Sequence, residues 1–210
     1  MPAPAKDPDL PVDELGPPLP AVVTSGLSRR FDDLVAVQPL DLVIAHGELF
    51  GLLGSNGAGK STTLKMLTTL LPPTSGTASV VGFDVVRQSR EVRRHIGYVP
   101  QLVSADASLT GRENLLLFAK LYGVPRAERE ARIDQALTFM ELGEAASRMV
   151  RTYSGGMIRR LEIAQSMLHR PDVLFLDEPT VGLDPNLAVL GGVLVVLVAV
   201  ASRLYPTVAT

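Results

Sequence analysis

A glycine-rich segment between an apolar run and a helix start constrains this chain more than any other feature. Residues 54–61 read G-S-N-G-A-G-K-S, which has the form G-x-x-x-x-G-K-[ST]. The composition of residues 48–53 predicts a buried strand before the segment, and residues 62–67 predict the start of a helix after it. A strand, a glycine loop and a helix in this order are the setting in which such a segment binds phosphate.

The physical reasons for phosphate binding lie in the backbone. Glycines let the chain turn so that successive N–H groups point at one anion, and the following helix adds its free N–H groups and positive dipole end. Lys60 is expected to reach the β- and γ-phosphates, and the Ser61 hydroxyl to bind Mg²⁺. The alternative is a flexible loop with a solvated lysine, but a chance match arises in only about one per cent of chains. The predicted nucleotide-binding residues of this segment are Gly54, Ser55, Asn56, Gly57, Ala58, Gly59, Lys60, Ser61 and Thr62.

Length and composition exclude several classes of protein. A chain of 210 residues suits one domain, and its net charge of −2 gives no sign of a nucleic-acid-binding surface. There is no cysteine, so disulfides and thiolate chemistry are excluded. Residues 1–20 hold seven of the sixteen prolines and no apolar run, so we expect a disordered leader and no signal peptide.

A second motif places two carboxylates at the end of an apolar strand. Residues 173–176 are V-L-F-L, and Asp177 and Glu178 follow directly. Ligands of α/β sheets bind at the carboxyl ends of the strands. We expect Asp177 to hold Mg²⁺ and Glu178 to polarise an attacking water as a general base. The alternative, two solvated carboxylates, is weakened by the phosphate-binding segment upstream.

Two isolated residues have open interpretations on sequence alone. Phe31 falls in a polar segment predicted as a loop, where it either covers nearby core or stacks on a purine base. Gln101 is the polar end of the strand predicted over residues 96–101, where it is either solvated or close to a metal-bound phosphate.

Residues 105–151 predict a helical insertion within the α/β core. Thr110 and Glu113 have the spacing of a capping box, and apolar residues recur at helical spacing over residues 126–142. Ser154 is then expected to cap a third helix that runs to His169. The two glycines after Ser154 suggest that an anion approaches this helix start closely.

Taken together, these motifs resemble the ATP-binding subunits of ABC transporters over roughly residues 22–185. Residues 54–61 match the Walker A loop, Gln101 the Q-loop and residues 154–157 the signature motif. Residues 173–178 match Walker B, and residues 182–184 match the D-loop. Tyr153 and Met157 replace the usual leucine and glutamine of the signature, and with residues 109–115 they resemble the daunorubicin-resistance branch of drug exporters.

The resemblance implies a fold and an activity. The fold is an α/β P-loop NTPase (ABC ATPase) core with a mostly parallel sheet, an N-terminal antiparallel β part and a helical subdomain. The implied activity is ATP hydrolysis with ATP and Mg²⁺ as cofactors, in a dimer at the cytoplasmic face of the plasma membrane that drives a separate permease. The resemblance assigns catalysis to Glu178, Lys60 and Gln101, and metal binding to Ser61, Gln101 and Asp177. It assigns adenine stacking to Phe31. The remaining nucleotide contacts that it implies are Ser154, Gly155, Gly156 and Asp184.

The resemblance stops after Pro185. The family continues with a helix, a strand and a switch histidine, whereas His46, His95 and His169 all precede the D-loop. We therefore expect ATP binding with little hydrolysis. Residues 187–202 carry no charge and would form a helix of roughly 24 Å, which is marginal for a membrane. The tail is interpreted either as a membrane helix over residues 187–205, joined to a truncated ATPase, or as a buried strand or helix.

The predicted organisation is a leader over residues 1–20, an ATP-binding domain over residues 21–185 and an apolar tail over residues 186–210. The helical subdomain covers about residues 102–153. Two other functions remain as alternatives: a nucleotide-binding chain with little turnover, and a soluble ABC ATPase without a transport role.

Overall fold

The computed structural model describes residues 19–55, 57–177 and 193–197, the last of these through their backbone pairing. Strands and helices are mixed along the chain, with three helices in succession between β6 and β7. The elements are β1 (Val22–Phe31), β2 (Leu34–Ile44), β3 (Leu49–Leu53), α1 (Lys60–Leu67), β4 (Ser75–Val80), β5 (Phe83–Asp84), α2 (Ser89–His95), β6 (Ile96–Val99), α3 (Gly111–Leu121), α4 (Arg129–Phe139), α5 (Gly155–Met167), β7 (Val173–Leu176) and β8 (Val193–Leu197).

The first sheet is the predicted N-terminal antiparallel part. Its strands are ordered β2-β1-β4-β5, and every neighbouring pair is antiparallel. The hairpin of β1 and β2 closes at Phe31, which pairs with Leu34 across a tight turn in which Asp32 has a φ of 46°. The prediction that Phe31 lies in a loop is therefore wrong, because cross-strand pairing extends β1 through this residue.

The second sheet carries the strands that precede the two predicted phosphate-site motifs. Its order is β3-β8-β7-β6, with β6 and β7 parallel. Strand β8 is antiparallel to both neighbours, so β3, β6 and β7 all run in one direction. The carboxyl ends of these three strands therefore lie at the same edge of the sheet, next to residues 54, 100 and 177.

Helix α1 packs its apolar face into the main core. Leu64 and Met66 are fully buried in one cluster with Ile44 of the first sheet and Phe175 of β7. Fully burying a side chain of this size contributes ~2 kcal/mol. The cluster ties the helix that follows the glycine loop to both sheets, which holds the loop in place.

The helices α3, α4 and α5 form a second cluster. Leu115, Ile133 and Leu161 are fully buried in it, one from each helix. The predicted capping box is confirmed: the Thr110 side chain accepts from the Glu113 N–H, and the Glu113 side chain accepts from the Thr110 N–H. The predicted cap of α5 is also confirmed, because Ser154 Oγ accepts from the Met157 N–H.

Several sequence-based predictions lie outside the described residues. They include the leader over residues 1–18, Asn56, Glu178, the D-loop with Asp184, and most of the tail. Within the tail, residues 193–197 form strand β8; the two interpretations of the tail are a membrane helix over residues 187–205 and a buried strand or helix. In the described ranges, no helix has both the length and the apolar character that crossing a membrane requires.

Candidate functional site

The loop between β3 and α1 uses glycine where no other residue fits. Gly57 and Gly59 have φ values of 84° and 86°, in the left-handed region that side chains disfavour. A Cβ atom on Gly59 would lie 2.3 Å from the Ala36 carbonyl oxygen and 3.0 Å from Val37 Cγ2. The loop can thus curl tightly against β2 only because position 59 has no side chain.

The first turn of α1 leaves its backbone N–H groups open to a ligand. Gly59 is the N-cap residue, and no side chain of the described residues caps this helix. By contrast, Thr110 caps α3 and Ser154 caps α5 through their side chains. The first turn of α1 also has no acidic residue. Uncapped N–H groups and the positive end of the helix dipole attract an anion at this point.

The Lys60 side chain places a cation inside the loop. Lys60 is 6% exposed, and Nζ donates to the carbonyl oxygens of Gly54 at 2.6 Å and Ser55 at 2.9 Å. An ammonium has three N–H donors, so two carbonyls leave one for a further acceptor. No carboxylate pairs with Lys60 among residues 19–55 and 57–177. A buried cation without a carboxylate partner is costly, and an anionic ligand would compensate it.

The two predicted metal-binding motifs meet in the structure. Ser61 Oγ donates to Asp177 Oδ1 at 3.0 Å, although the two residues are 116 positions apart. Asp177 is 3% exposed, and its N–H donates to the Val99 carbonyl of β6. Its carboxylate therefore lies at the edge of the second sheet, directly beside the first turn of α1.

Tyr98 contributes a second contact to the same carboxylate. Burial, the charge of Asp177 and a hydrogen bond to the Asp177 side chain together raise the pKa of Tyr98 to about 12. The tyrosine therefore stays protonated at physiological pH and donates to Asp177. The sequence analysis assigned no role to Tyr98, because a tyrosine in an apolar strand is most often a core residue.

Arg159 of α5 was also missed by the sequence analysis. Its guanidinium is buried and donates to the carbonyl oxygens of Pro100 at 2.7 Å and Asp177 at 2.8 Å. The opposite charges of Arg159 and Glu162, three residues apart, were a visible signal in the sequence. Such pairs usually lie on a solvated helix face, so their spacing alone does not predict burial.

A cleft on the β1–β2 hairpin leads to Lys60. Its volume is about 390 Å³, and residues 35–40 of β2 line it together with Leu52, Gly57 and Ala58. Phe31 is not among the residues that line it, but it ends the neighbouring strand and is 40% exposed. The Arg29 guanidinium lies 4.5 Å from the centroid of the Phe31 ring and donates to the Pro72 carbonyl. One face of the ring is thereby occupied by a cation.

The other predicted site residues lie at two further places. Gln101 is exposed and lies two residues after the end of β6. It belongs to the loop that Arg159 contacts at Pro100. Ser154 and Gly155 are exposed at the start of α5. The structure thus brings Lys60, Ser61 and Asp177 together and sets the predicted signature motif on the surface.

The strand, the curled glycine loop and the buried lysine at a helix start define a P-loop nucleotide-binding site. The family model described as "ABC transporter" matches residues 37–181, which is more than half of the chain. The chain therefore belongs to the ABC transporter family, among its ATP-binding proteins. The predicted fold class is confirmed, with the antiparallel N-terminal sheet and the P-loop core.

Several curated proteins similar to this chain are named as ATP-binding proteins. The chain is 49% identical over 169 residues to the daunorubicin/doxorubicin resistance ATP-binding protein DrrA of Streptomyces peucetius, covering 80% of this chain and 51% of the relative. It is 45% identical over 160 residues to the Nod factor export ATP-binding protein I of Burkholderia thailandensis, covering 76% and 53%. A solved structure of an ATP-binding subunit of an ABC transporter matches with a TM-score of 0.66 at 29% identity, covering 81% of this chain and 71% of that one. The chain spans about half the length of the curated relatives it matches.

Proposed function

We propose that this protein is the ATP-binding and ATP-hydrolysing subunit of an ABC exporter that works with a separate membrane permease. The observation that carries the proposal is the buried Lys60 ammonium beside an uncapped helix start. A triphosphate bound there would supply the negative charge that the described surroundings of Lys60 lack. The loop N–H groups and Lys60 would hold the β- and γ-phosphates.

The adenosine half of the nucleotide would lie along the β1–β2 hairpin. The cleft beside residues 35–40 is open toward Lys60 and is lined mostly by apolar side chains, which suits a ribose and a base. The exposed ring of Phe31 offers a stacking surface at the end of the same hairpin. Because Arg29 covers one face of that ring, a purine would stack on the other.

The residues present fit Mg²⁺. Magnesium prefers oxygen ligands and usually binds through one or two carboxylates together with substrate phosphates. The Ser61 hydroxyl and the Asp177 carboxylate provide such oxygens 3.0 Å apart, and Gln101 lies on the adjacent loop. The described residues hold no group of three or more histidine, cysteine, aspartate or glutamate side chains that would form an all-protein metal site. Bound magnesium would neutralise charge on the phosphates, and Glu178 would accept a proton from the attacking water.

We further propose that two copies of the chain bind ATP between them. Ser154, Gly155 and Gly156 start helix α5 at an exposed position, so a nucleotide held by another copy could approach their backbone. Asp184 lies outside the described residues and is proposed as a further nucleotide contact. Two Gly residues in the first turn leave this helix start without bulky side chains, which permits close approach.

Export of a drug or lipid-like molecule is the transport role we favour. One relative is named for Nod factor export and another for resistance to daunorubicin and doxorubicin, and efflux is one way in which a cell resists a drug. Two other functions are alternatives: a chain with little turnover, which the hydrolysis experiment separates from this one, and a soluble ABC ATPase outside transport, which the names of these relatives disfavour.

Replacing Glu178 with glutamine is expected to lower the rate of ATP hydrolysis about a hundredfold, because an amide cannot accept the proton of the attacking water. ATP affinity should change little, since the proposed phosphate contacts come from Lys60 and its loop. Phosphate release and ATP affinity should be measured on the variant and on the unaltered chain. Turnover of the unaltered chain no higher than that of the variant would favour the alternative of a chain with little turnover, and absent Mg-dependent ATP binding would contradict the proposed function.

The chain is expected to associate with membranes only through its permease. Strand β8 takes residues 193–197 into the second sheet, between β3 and β7, and residues in a sheet do not cross a membrane as a helix. Membranes from cells that express the chain should be washed with alkaline carbonate and the supernatant assayed for the protein. Release is expected, whereas retention in the pellet would support the membrane helix over residues 187–205.

A further inference from the structure

A buried ion pair on α5 contacts the site from the helical side. Arg159 Nη1 lies 3.3 Å from Glu162 Oε2, and the two side chains are 6% and 3% exposed. The other ion pairs in the described ranges have at least one side chain that is substantially exposed. The pair therefore lies in a region where hydrogen-bond geometry is set by the protein and little by solvent.

The arginine connects the ends of two strands. Its two terminal nitrogens donate to the carbonyl oxygens of Pro100, one residue past β6, and Asp177, one residue past β7. A guanidinium is a rigid planar fork, so it sets the distance between the two carbonyls as well as binding them. One side chain thus sets the relative position of two backbone segments that the proposed magnesium site uses.

The glutamate holds the other end of the same loop. Glu162 Oε1 accepts from the N–H of Ser104 at 2.5 Å and from its Oγ at 3.0 Å. The loop is therefore fastened at Pro100 by Arg159 and at Ser104 by Glu162. Gln101 lies between these two attachment points.

Stability alone does not require such a pair. Removing two charges from water is costly, and well-packed apolar residues in their place are often neutral or stabilising. Arg159 Nε is also buried without a hydrogen-bond partner in the described part of the chain, which adds to the cost. The donors that are satisfied are on the two terminal nitrogens, which face Pro100, Asp177 and Glu162.

We propose that the Arg159–Glu162 pair is a positioning device for the magnesium side of the nucleotide site, an inference that rests on the proposed function. The pair holds the Asp177 backbone and the loop that carries Gln101 at the spacing that magnesium bound to ATP requires. Neither side chain touches the nucleotide, and both are positioning residues.

The test compares ATP affinity with and without magnesium. The principal variant is the double change Arg159→Met with Glu162→Leu, which removes both buried charges at once and leaves neither unpaired. Arg159→Lys is the second variant: it keeps the charge beside Glu162, but a single ammonium cannot reproduce the guanidinium fork. The matched control is Arg160→Met, because Arg160 is the next residue on α5 and is 39% exposed. Its side chain donates to the Met140 carbonyl.

Calorimetry would give the ATP dissociation constant in Mg²⁺ and in EDTA, and thermal unfolding would be recorded for each protein.

The readout is the dissociation constant in EDTA divided by the dissociation constant in Mg²⁺, which measures how much magnesium strengthens ATP binding. We expect this ratio to fall at least fivefold in the double variant and at least threefold in Arg159→Lys, with metal-free affinity within twofold of the original because Lys60 and its loop are unchanged. Arg160→Met should keep the original ratio. A folded double variant or Arg159→Lys protein with an unchanged ratio would overturn the inference, as would an equal loss of affinity with and without magnesium. An unaltered chain without any magnesium-dependent ATP binding would overturn the proposed function, and this inference with it.

Discussion

Replacing Lys60 with alanine is expected to weaken ATP binding about a hundredfold or more, which corresponds to ~2.7 kcal/mol. Lys60 is 6% exposed and its ammonium is already held by the carbonyls of Gly54 and Ser55, so little reorganisation is needed when a phosphate binds. Charge-assisted hydrogen bonds in such a setting are roughly twice as strong as neutral ones. Calorimetric titration with Mg·ATP would measure the loss.

The control for this prediction is Lys65→Ala. Lys65 belongs to the same helix but is exposed in its last turn, so its removal changes the charge by the same amount without reaching the loop. We expect its ATP affinity to stay within about twofold, since an exposed charge at this distance is screened by salt. Thermal unfolding of both proteins without nucleotide separates loss of the site from loss of the fold. An affinity of Lys60→Ala equal to that of Lys65→Ala would be incompatible with the proposed site.

The local parts of the site could be predicted from sequence because their geometry is encoded locally. Residues 54–61 follow strand β3 and run into helix α1. Gly57 and Gly59 have positive φ values, which glycine adopts more readily than other residues. The caps at Thr110 and Ser154 likewise depend on side chains within three residues of the helix start. These features need no information about distant parts of the chain.

The contacts between distant segments could not be predicted in the same way. The approach of Ser61 to Asp177 was expected only in general terms, from the edge where parallel strands end. The hydrogen bonds of Tyr98 and Arg159 to Asp177 depend on how β6 and α5 pack, and no short-range pattern encodes that packing. Strand β8 shows the same limit: an uncharged run fits a helix or a strand, and the sheet partner decides between them.

Replacing Gly59 with alanine is expected to lower the free energy of unfolding by about 3 kcal/mol, within the range for a strained backbone combined with a steric clash. Its φ of 86° is unfavourable for any residue with a Cβ atom. The new methyl group would also lie 2.3 Å from the Ala36 carbonyl oxygen, and that backbone belongs to β2. Relief of the clash requires α1 to move away from β2, which also moves Lys60. We therefore expect ATP affinity to fall at least about tenfold in the same protein.

Gly57→Ala is the matched control, because it carries the same backbone cost without the clash. Gly57 has a φ of 84°, but a Cβ atom there meets nothing within 4 Å. Its free energy of unfolding should fall by only about 1 kcal/mol, the cost of a left-handed conformation. Urea unfolding followed by circular dichroism would measure both values. The two variants share the backbone strain, so the difference between their free energies of unfolding isolates the contact between position 59 and β2. Equal losses of that free energy would mean that this contact does not hold the loop.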